Sequence, residues 1–244
     1  MNSPVSTSWI DIAPGFAGYL ALPPGGSGPG LVVWQEIFGV NEHIRTVAEQ
    51  YALDGFVVLA PDTFWRQAPR VELGYDGADR DQALALMKGY AAADVMDDAM
   101  DDALADIGAA VAALRARPEV QGRVGTFGYC MGGRLAYLAA ATAGVDAAVA
   151  FYGGGIHTQL DRAAAINCPV QFHYAEHDDN IPLDAVERVR AAVAGKDAEV
   201  HIYPGAHHGF NCWARASYHA PSAALAHGRA LAFLATKLFG NDKA

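Results

Sequence analysis

Cysteine is scarce in this sequence: three of the 244 residues, Cys130, Cys168 and Cys212, carry a thiol. An odd and sparse set cannot form the paired framework of a small secreted domain, which favours a reducing compartment. Basic residues are also few, at 17 against 27 acidic ones, and the formal net charge of -10 argues against a nucleic-acid surface. No apolar run approaches a membrane span, and the first residues lack the basic and apolar regions of a signal peptide. We therefore expect a cytoplasmic protein that binds neither nucleic acid nor membrane.

Hydrophobic residues are abundant instead, at 52% of the chain, while only 18% of the residues are charged. This composition supports a large buried core and excludes disorder as a global state. The length fits one α/β domain, and the chain has no internal repeat or low-complexity linker, so we expect a single domain over residues 1–244. The proline- and glycine-rich stretch at residues 23–30 is predicted to be a loop between strands.

Short apolar runs alternate with helical patterns along the chain. The runs are bounded by Gly, Pro or Asp, as buried parallel strands are, and they cover residues 31–35, 56–60, 123–127, 147–151, 170–174 and 199–203. The helical patterns cover roughly residues 41–54, 78–90, 95–117, 131–143, 183–194 and 217–239. This alternation predicts an α/β fold with a mainly parallel sheet and helices on both faces.

Reactive side chains follow several of the predicted strands, and ligands bind beyond the carboxyl ends of the strands in sheets of this kind. The residues at these positions are Glu36, Asp62, Cys130, Asp178 and the pair His207 and His208. Their order of nucleophile, acid and histidine is the order found in α/β-hydrolase triads. Three strand ends that border one crevice can supply the hydrogen-bonded geometry that a triad needs.

The cysteine of the segment Gly-Tyr-Cys-Met-Gly-Gly, residues 128–133, stands where the nucleophile elbow Gly-x-Ser-x-Gly has its serine. That elbow is a strained strand-to-helix turn that lifts the nucleophile clear of the sheet. A cysteine after a strand can also be a small buried hydrophobe. The glycine frame and the helix N-terminus, which favours a thiolate, lead us to predict Cys130 as the nucleophile.

The acid and the histidine of the predicted triad each have an alternative. Asp178 could serve only as a turn residue, since Asp favours turns. Its position two elements after the elbow favours the catalytic interpretation. His207 is the alternative to His208, and we choose His208 because Gly-Phe follows it.

Two histidines and two cysteines remain outside the predicted triad. His173 and His177 are four residues apart, which suggests a metal pair only on a helix, and they straddle a predicted strand end. Cys168 and Cys212 are predicted to be structural. We expect neither a metal nor a cofactor.

Several segments together resemble the dienelactone hydrolase (carboxymethylenebutenolidase) family. They are Gln-Glu-Ile-Phe-Gly-Val-Asn at residues 35–41, Pro-Asp at 61–62, Arg-Gln-Ala-Pro at 66–69, the elbow at 128–133, Asp178 before Ile-Pro, and His-Gly-Phe at 208–210. The resemblance runs from about residue 10 to residue 239. The first segment and the elbow are specific in combination, whereas the Asp and His motifs alone would fit any α/β-hydrolase.

The resemblance implies an α/β-hydrolase fold and a triad of Cys130, His208 and Asp178. Glu36 would be a fourth catalytic-site residue. In the family this glutamate contacts the cysteine thiol in the resting site and takes part in its activation when substrate binds. Such control would protect the thiol from indiscriminate oxidation.

The resemblance also implies the remaining machinery and the reaction. The backbone N–H groups of Ile37 and Met131 would form an oxyanion hole, and Phe38 would contact the substrate. The reaction would open a lactone or enol ester through a thioester acyl-enzyme. We expect a small anionic substrate, because a few arginines can bind an anion in an acidic protein. The family resemblance also favours a monomeric enzyme.

The sequence departs from the family where the substrate carboxylate is bound, a task of two arginines in dienelactone hydrolases. Arg80 matches one, but Cys212 stands where the second is expected, four residues after the catalytic histidine. Arg215 could substitute for it. Two aromatic pocket positions are occupied by Leu84 and Met87.

These departures keep two other functions open. A broader carboxylesterase or thioesterase of the same fold would use the same triad on neutral or longer substrates, which Leu84, Met87 and Cys212 favour and Arg80 opposes. A non-catalytic binding protein of this fold is the third possibility, but such a protein is expected to have lost triad residues, and here all are present.

Overall fold

The structure is a computed structural model that describes residues 4–91 and 97–240 of the chain. Its contacts divide the chain into two compact units, Met1–Gly122 and Arg123–Ala244. Within the described residues, no helix has the length and apolar character that a bilayer crossing requires.

The first unit contains an antiparallel hairpin beside a parallel pair of strands. Its strands are β1 (Ser6–Ala13), β2 (Phe16–Leu22), β3 (Gly28–Trp34) and β4 (Val57–Pro61), and its helices are α1 (Glu42–Leu53), α2 (Gly77–Ala91) and α3 (Asp97–Arg115). The strand order is β1-β2-β4-β3, in which only β3 and β4 are parallel neighbours. Helix α1 packs on β4, and α3 packs on β3.

The second unit is built on four consecutive parallel strands. They are β5 (Val120–Tyr129), β6 (Ala147–Phe151), β7 (Val170–His177) and β8 (Ala198–His207), in the order β5-β6-β7-β8, and β5 belongs to this unit from residue 123 onward. The helices are α4 (Met131–Thr142), α5 (Leu183–Ala192) and α6 (Ala220–Leu238), with short 3-10 helices at Ile156–Thr158 and Leu160–Ala165. Because neighbouring strands are parallel, their carboxyl ends lie at one edge, where the loops after β5, β6, β7 and β8 meet.

The inner strands are buried because their sequences are apolar without alternation. All five residues of β4 and all five of β6 are buried, as expected of strands covered on both faces. Aromatic side chains such as Trp34, Tyr129 and Phe151 are among the largest that are fully buried. Each removes about 150–250 Å² from water, so these side chains dominate the cores of the two units.

The predicted α/β class with mainly parallel strands is confirmed, and several element boundaries are corrected. The hairpin of β1 and β2 was not among the predicted strands. Strand β3 begins at Gly28, so the predicted loop is shorter than residues 23–30, and β5, β7 and β8 extend beyond their predicted ends. The start of the predicted helix 95–117 falls at residues 95–96, outside the described residues. The single-domain boundaries 1–244 stay a prediction.

Candidate active site

Cys130 lies in the turn between β5 and α4, where the sequence predicts a nucleophile elbow. Its backbone has φ 55° and ψ -117°, a combination that a residue with a side chain rarely adopts. The strain is held in place by hydrogen bonds on both sides: the Cys130 N–H donates to the carbonyl of Phe151 at 3.0 Å, and the Cys130 carbonyl accepts from Gly133 at 3.0 Å. Backbone strain maintained in this way is typical of functional sites.

The elbow also brings the start of α4 against the loop after β6, which requires a glycine at residue 133. A β-carbon on Gly133 would lie 2.6 Å from the Phe151 carbonyl oxygen and 2.9 Å from the Gly153 Cα. Both neighbours are backbone atoms that cannot move aside. The second glycine of the Gly-Gly pair in the motif is therefore needed for close packing rather than for turn conformation.

His208 lies directly after β8 and bridges the other two predicted triad residues. Its Nε2 is 3.1 Å from the Cys130 Sγ, and its Nδ1 is 2.8 Å from Asp178 Oδ2. The His208 side chain is only 13% exposed, so water has little access to either contact. The structure thus brings together Cys130, His208 and Asp178 at the carboxyl ends of β5, β8 and β7.

Asp178 is fixed by the turn that follows β7. Its Oδ1 accepts hydrogen bonds from the backbone N–H groups of Asn180 at 2.9 Å and Ile181 at 3.1 Å. Its Oδ2 is thereby directed at the imidazole, and the side chain is 1% exposed. Since a carboxylate only accepts, His208 carries a proton on Nδ1, and its Nε2 can exchange a proton with the thiol.

The surroundings of His208 stabilise its protonated form. Burial alone would lower its pKa, but the charge of an ionised Cys130, the hydrogen bonds with Asp178 and Cys130 and the charge of Asp178 together raise the pKa to about 10. When Cys130 is ionised, His208 therefore holds its proton at neutral pH. This pairing of a thiolate with an imidazolium is the state in which a cysteine is nucleophilic.

The neighbouring histidines do not share this arrangement. His207 ends β8 and is exposed, with its ring 5.5 Å from that of His177. His173 is fully buried, and its Nδ1 and Nε2 lie 2.7 Å from the Tyr203 hydroxyl and 2.8 Å from Gln171 Oε1. Both of its nitrogens are thus used within the protein. The spacing of His173 and His177 belongs to a strand and offers no helical metal pair.

The other two cysteines lie in different environments from Cys130. All three cysteines are free thiols. Burial raises the pKa of Cys168 to about 11, so this thiol resists ionisation. Cys212 is fully buried four residues after His208.

Arg215 reaches the loop of the predicted catalytic histidine. Gly209, which follows His208, has φ +81°, and a β-carbon there would collide with the Arg215 guanidinium. The loop is tightened by hydrogen bonds from the Cys212 N–H to the Gly209 carbonyl and from the Arg215 N–H to the Cys212 carbonyl. A positive charge therefore lies next to the residue that follows His208.

The segment after β3 holds the predicted residues of the first unit. Glu36 is buried at 2% exposure, and Ile37 and Phe38 are also buried. The Phe38 ring packs edge-to-face on Tyr75 with centroids 4.6 Å apart. The proposed roles of Glu36, Ile37 and Phe38 in catalysis stay predictions.

Asp62, another strand-end carboxylate, shapes the loop after β4. Its Oδ2 accepts a hydrogen bond from the Arg70 N–H at 2.5 Å, and its own N–H donates to the Ala17 carbonyl at 3.0 Å. Burial raises the pKa of Asp62, although the hydrogen bonds from Arg70 and Phe64 oppose the shift. These contacts give Asp62 a structural role in the first unit.

The three substrate-binding candidates of helix α2 share one helical face. Arg80, Leu84 and Met87 are spaced at i, i+4 and i+7, which places them on adjacent turns. Arg80 and Leu84 are exposed, and Met87 is partly exposed. The helix thus presents one guanidinium and two apolar side chains together.

The sequence model of the dienelactone hydrolase family matches residues 16–238 of the chain. The chain belongs to the dienelactone hydrolase family. Its relatives include the "Putative carboxymethylenebutenolidase" of Azospirillum brasilense, 38% identical over 89% of this chain and 92% of the relative. The carboxymethylenebutenolidase of Pseudomonas putida is 34% identical over 90% of this chain and 91% of its own length.

The same relationship is found among solved structures. The "Putative Dienelactone Hydrolase" of Klebsiella pneumoniae subsp. pneumoniae MGH 78578 is 32% identical, with a TM-score of 0.77 over 95% of this chain and 98% of its own. The family resemblance and the α/β-hydrolase fold expected from the sequence are therefore confirmed. Dienelactone hydrolases are carboxylic ester hydrolases, and the assignment of Cys130 as the nucleophile of this family member stays a prediction.

Two contacts of the site were not predicted from the sequence. The Phe151 carbonyl holds the Cys130 N–H, and the Tyr152 ring lies 5.1 Å from that of His208. Phe151 is the last residue of the apolar strand β6 and Tyr152 is the next residue, and no motif distinguishes them. Their position at a strand end, beside a Gly-Gly-Gly stretch, is the one signal that could have directed attention to them.

Proposed function

We propose that this protein hydrolyses a lactone or enol ester through Cys130, with His208 as the base and Asp178 as the residue that orients it. The observation that carries the proposal is the pair of contacts of His208, 3.1 Å to the thiol and 2.8 Å to the carboxylate. Nucleophile, base and orienting carboxylate in this geometry are the requirements of acyl transfer.

In the first step, the Cys130 thiolate attacks the carbonyl carbon and forms a C–S bond. The tetrahedral oxyanion collapses, the C–O bond of the ring or ester breaks, and its electron pair leaves on the enol oxygen. The imidazolium of His208 can supply a proton to this leaving group. A thioester with Cys130 and an enol or its keto form result.

In the second step, water attacks the thioester carbonyl while the neutral His208 accepts a proton from that water at Nε2. The C–S bond breaks, and the Cys130 thiolate is restored with the imidazolium beside it. The net reaction adds one water to the substrate and leaves a carboxylic acid. The Asp178 carboxylate stabilises the imidazolium in both steps.

The oxyanion would be bound by backbone donors. Met131 is the first residue of α4, so its N–H lacks an acceptor within the helix and lies at the positive end of the helix dipole. We propose the Ile37 N–H as the second donor, and Glu36 as the carboxylate that controls the resting thiol. Preorganised donors of this kind contribute several kcal/mol, about 3–4 per donor by mutagenesis of other enzymes.

The leaving group favours lactones and enol esters over alkyl esters. A thiolate is itself a good leaving group, so the tetrahedral intermediate returns to substrate when the alcohol leaves poorly. A resonance-stabilised enolate leaves more readily. We therefore propose a dienelactone-type substrate, in keeping with the carboxymethylenebutenolidases to which the chain is similar.

We further propose that the substrate is an anion held by Arg80, with Arg215 in place of the missing second arginine. Arg80 is exposed on α2, and Arg215 packs against the loop of His208. A guanidinium can bind a carboxylate bidentately, which orients the substrate as well as attracting it.

The test compares kcat/KM for dienelactone and for a neutral aryl acetate in wild type, Arg80→Ala and Arg215→Ala. Each substitution should raise KM for dienelactone by about tenfold, as expected for one charge-assisted contact, and leave the neutral ester almost unaffected. Arg188→Ala is the matched control, because Arg188 is an exposed arginine that pairs with Asp184 on α5 at 3.6 Å.

The alternative function is a broader carboxylesterase or thioesterase. The exposed apolar Leu84 beside Arg80 favours it, since an apolar side chain contributes to neutral substrates as well. Equal losses on charged and neutral substrates would make Arg80 structural and favour this alternative. A selective loss in Arg215→Ala alone would move the anion site to the loop of His208.

A further inference from the structure

Tyr152, the residue directly after β6, has a backbone conformation that its side chain disfavours. Its φ is +36°, and among the described residues only Arg70 and Cys130 share a positive φ without being glycine. A bulky aromatic residue adopts this region only where its surroundings impose it, and such strain clusters at functional sites.

Hydrogen bonds on both sides of the Phe151–Tyr152 peptide impose the conformation. The Tyr152 N–H donates to the His173 carbonyl in β7 at 2.7 Å. The Phe151 carbonyl accepts from the Cys130 N–H at 3.0 Å. The same peptide unit is therefore anchored to the strand that precedes Asp178 and to the strained nucleophile.

The strained backbone directs the Tyr152 ring at His208. The ring is fully buried, and its centroid lies 5.1 Å from that of the imidazole with an interplanar angle of 64°. Phe210, two residues after His208, packs on the same ring at 5.3 Å and 66°. Both are edge-to-face contacts, the geometry that aromatic pairs prefer.

The hydrogen bonds of His208 do not by themselves fix the orientation of its imidazole ring. Asp178 and Cys130 fix the two imidazole nitrogens, but the angular tolerance of hydrogen bonds leaves the tilt of the ring loosely defined. The imidazole must also keep its position when Cys130 becomes acylated and the contact with the thiolate is lost. A buried aromatic ring against its side can hold it through that stage.

We propose that Tyr152 is a positioning residue for His208, whose ring holds the imidazole in line with Cys130 and Asp178 during the hydrolysis of the thioester. The inference rests on the proposed function for its catalytic consequence. It adds a role for the loop after β6, which supplies neither the nucleophile, the base nor the carboxylate.

The test uses two substitutions and one matched control. Tyr152→Phe keeps the ring, and Tyr152→Leu removes it while keeping an apolar side chain. Phe172→Leu is the control, because Phe172 is a buried aromatic of the adjacent strand β7 that packs on Tyr137 and Tyr174. Folding of each variant is checked by circular dichroism and thermal melting.

With a neutral aryl acetate, Tyr152→Leu should lower kcat by about 3- to 10-fold, the size of one edge-to-face contact, with KM almost unchanged. Tyr152→Phe should restore kcat to the wild-type value. Phe172→Leu should lower the melting temperature without lowering kcat. Equal kcat in wild type and Tyr152→Leu, or a loss in Tyr152→Phe as large as in Tyr152→Leu, would overturn the role of the ring.

A second readout needs no substrate and separates this inference from the proposed function. The rate of Cys130 alkylation by iodoacetamide at neutral pH should fall in Tyr152→Leu, because a displaced imidazole no longer lies in line to accept the proton of the thiol. The rate should be unchanged in Tyr152→Phe and Phe172→Leu. An unchanged rate in folded Tyr152→Leu would overturn the inference even if wild type hydrolysed no ester.

If Tyr152→Leu does not fold, proton NMR of the wild type and Tyr152→Phe decides the question. An aromatic ring at this distance shifts the Hε1 resonance of His208, which is assigned with His208→Gln. The same ring-current shift in both proteins would support the contact. Its absence in wild type would overturn it.

Discussion

Replacing Asp178 by asparagine tests the orientation of His208 with little change in shape. The backbone N–H groups of Asn180 and Ile181 donate to Oδ1, so the amide oxygen of the new side chain should stay on that side. The amide NH2 would then face His208 Nδ1, which lies 2.8 Å from Oδ2 in the wild type. Because an NH2 group donates, Nδ1 would become an acceptor and the imidazole proton would move to Nε2.

A proton on Nε2 would point at the Cys130 Sγ, and the neutral imidazole could no longer accept a proton from the thiol or from water. In serine triads the same change lowers kcat by about 10,000-fold. A thiol ionises more readily than a hydroxyl, so we expect a smaller loss here, about 100- to 1,000-fold in kcat. This corresponds to about 2.7–4 kcal/mol in activation free energy.

The assay is steady-state hydrolysis of dienelactone and of an aryl acetate by wild type, Asp178→Asn and Asp179→Asn. Asp179 is the exposed neighbour of Asp178 and controls for the loss of one charge at this turn. We expect KM to change little in Asp178→Asn and kcat to be normal in Asp179→Asn. Unchanged kcat in Asp178→Asn would refute the tautomer argument, and a selective loss in Asp179→Asn would assign the carboxylate role to that residue.

Three further predictions concern individual side chains. His208→Ala should lower kcat at least ~100-fold more than His207→Ala, because loss of a triad base costs several orders of magnitude, and the reverse order would show that His207 is the base. Iodoacetamide at neutral pH should label Cys130 before Cys168, whose pKa is raised to about 11 by burial, and peptide mapping that found Cys168 first would contradict the assigned elbow. Burial lowers the pKa of His173 well below its usual 6.5, so the unfolded chain binds more protons there than the folded protein, and stability should decrease as pH falls below about 6.5. The free energy of unfolding from urea titrations should therefore decrease less steeply with falling pH in His173→Gln than in wild type. The same dependence on pH in both proteins would refute the linkage.

The parallel part of the fold was predictable because each strand is a short apolar run with clear boundaries. Strand β6 was predicted with its observed bounds, since its five residues are apolar and Asp146 precedes them. Strand β1 was missed for the opposite reason, whereas β2 is apolar and largely buried and was missed although it has the same signal as β6. β1 is an exposed edge strand with polar residues at Ser6, Thr7 and Ser8, so it lacks the signal of a buried strand.

The ends of β7 and β8 were underestimated because they leave the core. Beyond Tyr174, the strand β7 continues through Glu176 and His177, which are exposed, and after a register shift His177 pairs with His207 at the extended end of β8. Backbone pairing, rather than hydrophobic burial, maintains these residues in the sheet. A sequence pattern based on burial cannot register that contribution.

At the site, residues that carry a chemical signature could be predicted, and residues that act through position could not. Cys130 was predicted from its glycine frame, and the structure places His208 at hydrogen-bond distance from Cys130 and Asp178 at hydrogen-bond distance from His208. Tyr152 depends on a backbone angle and a packing direction, and the sequence records neither. The approach of Arg215 to Gly209 likewise depends on how the loop after β8 folds.

The most direct test of the central claim is the activity of Cys130→Ala, compared with Cys168→Ala as the control for loss of a thiol elsewhere. The side chain of Cys130 is the proposed site of the acyl-enzyme, and its Sγ is the atom that His208 contacts. We predict that kcat/KM of Cys130→Ala on dienelactone and on aryl acetates is at least ~1,000-fold below wild type, with a folded protein by circular dichroism and normal activity in Cys168→Ala. A folded Cys130→Ala that kept more activity than this would contradict a mechanism through the thiol.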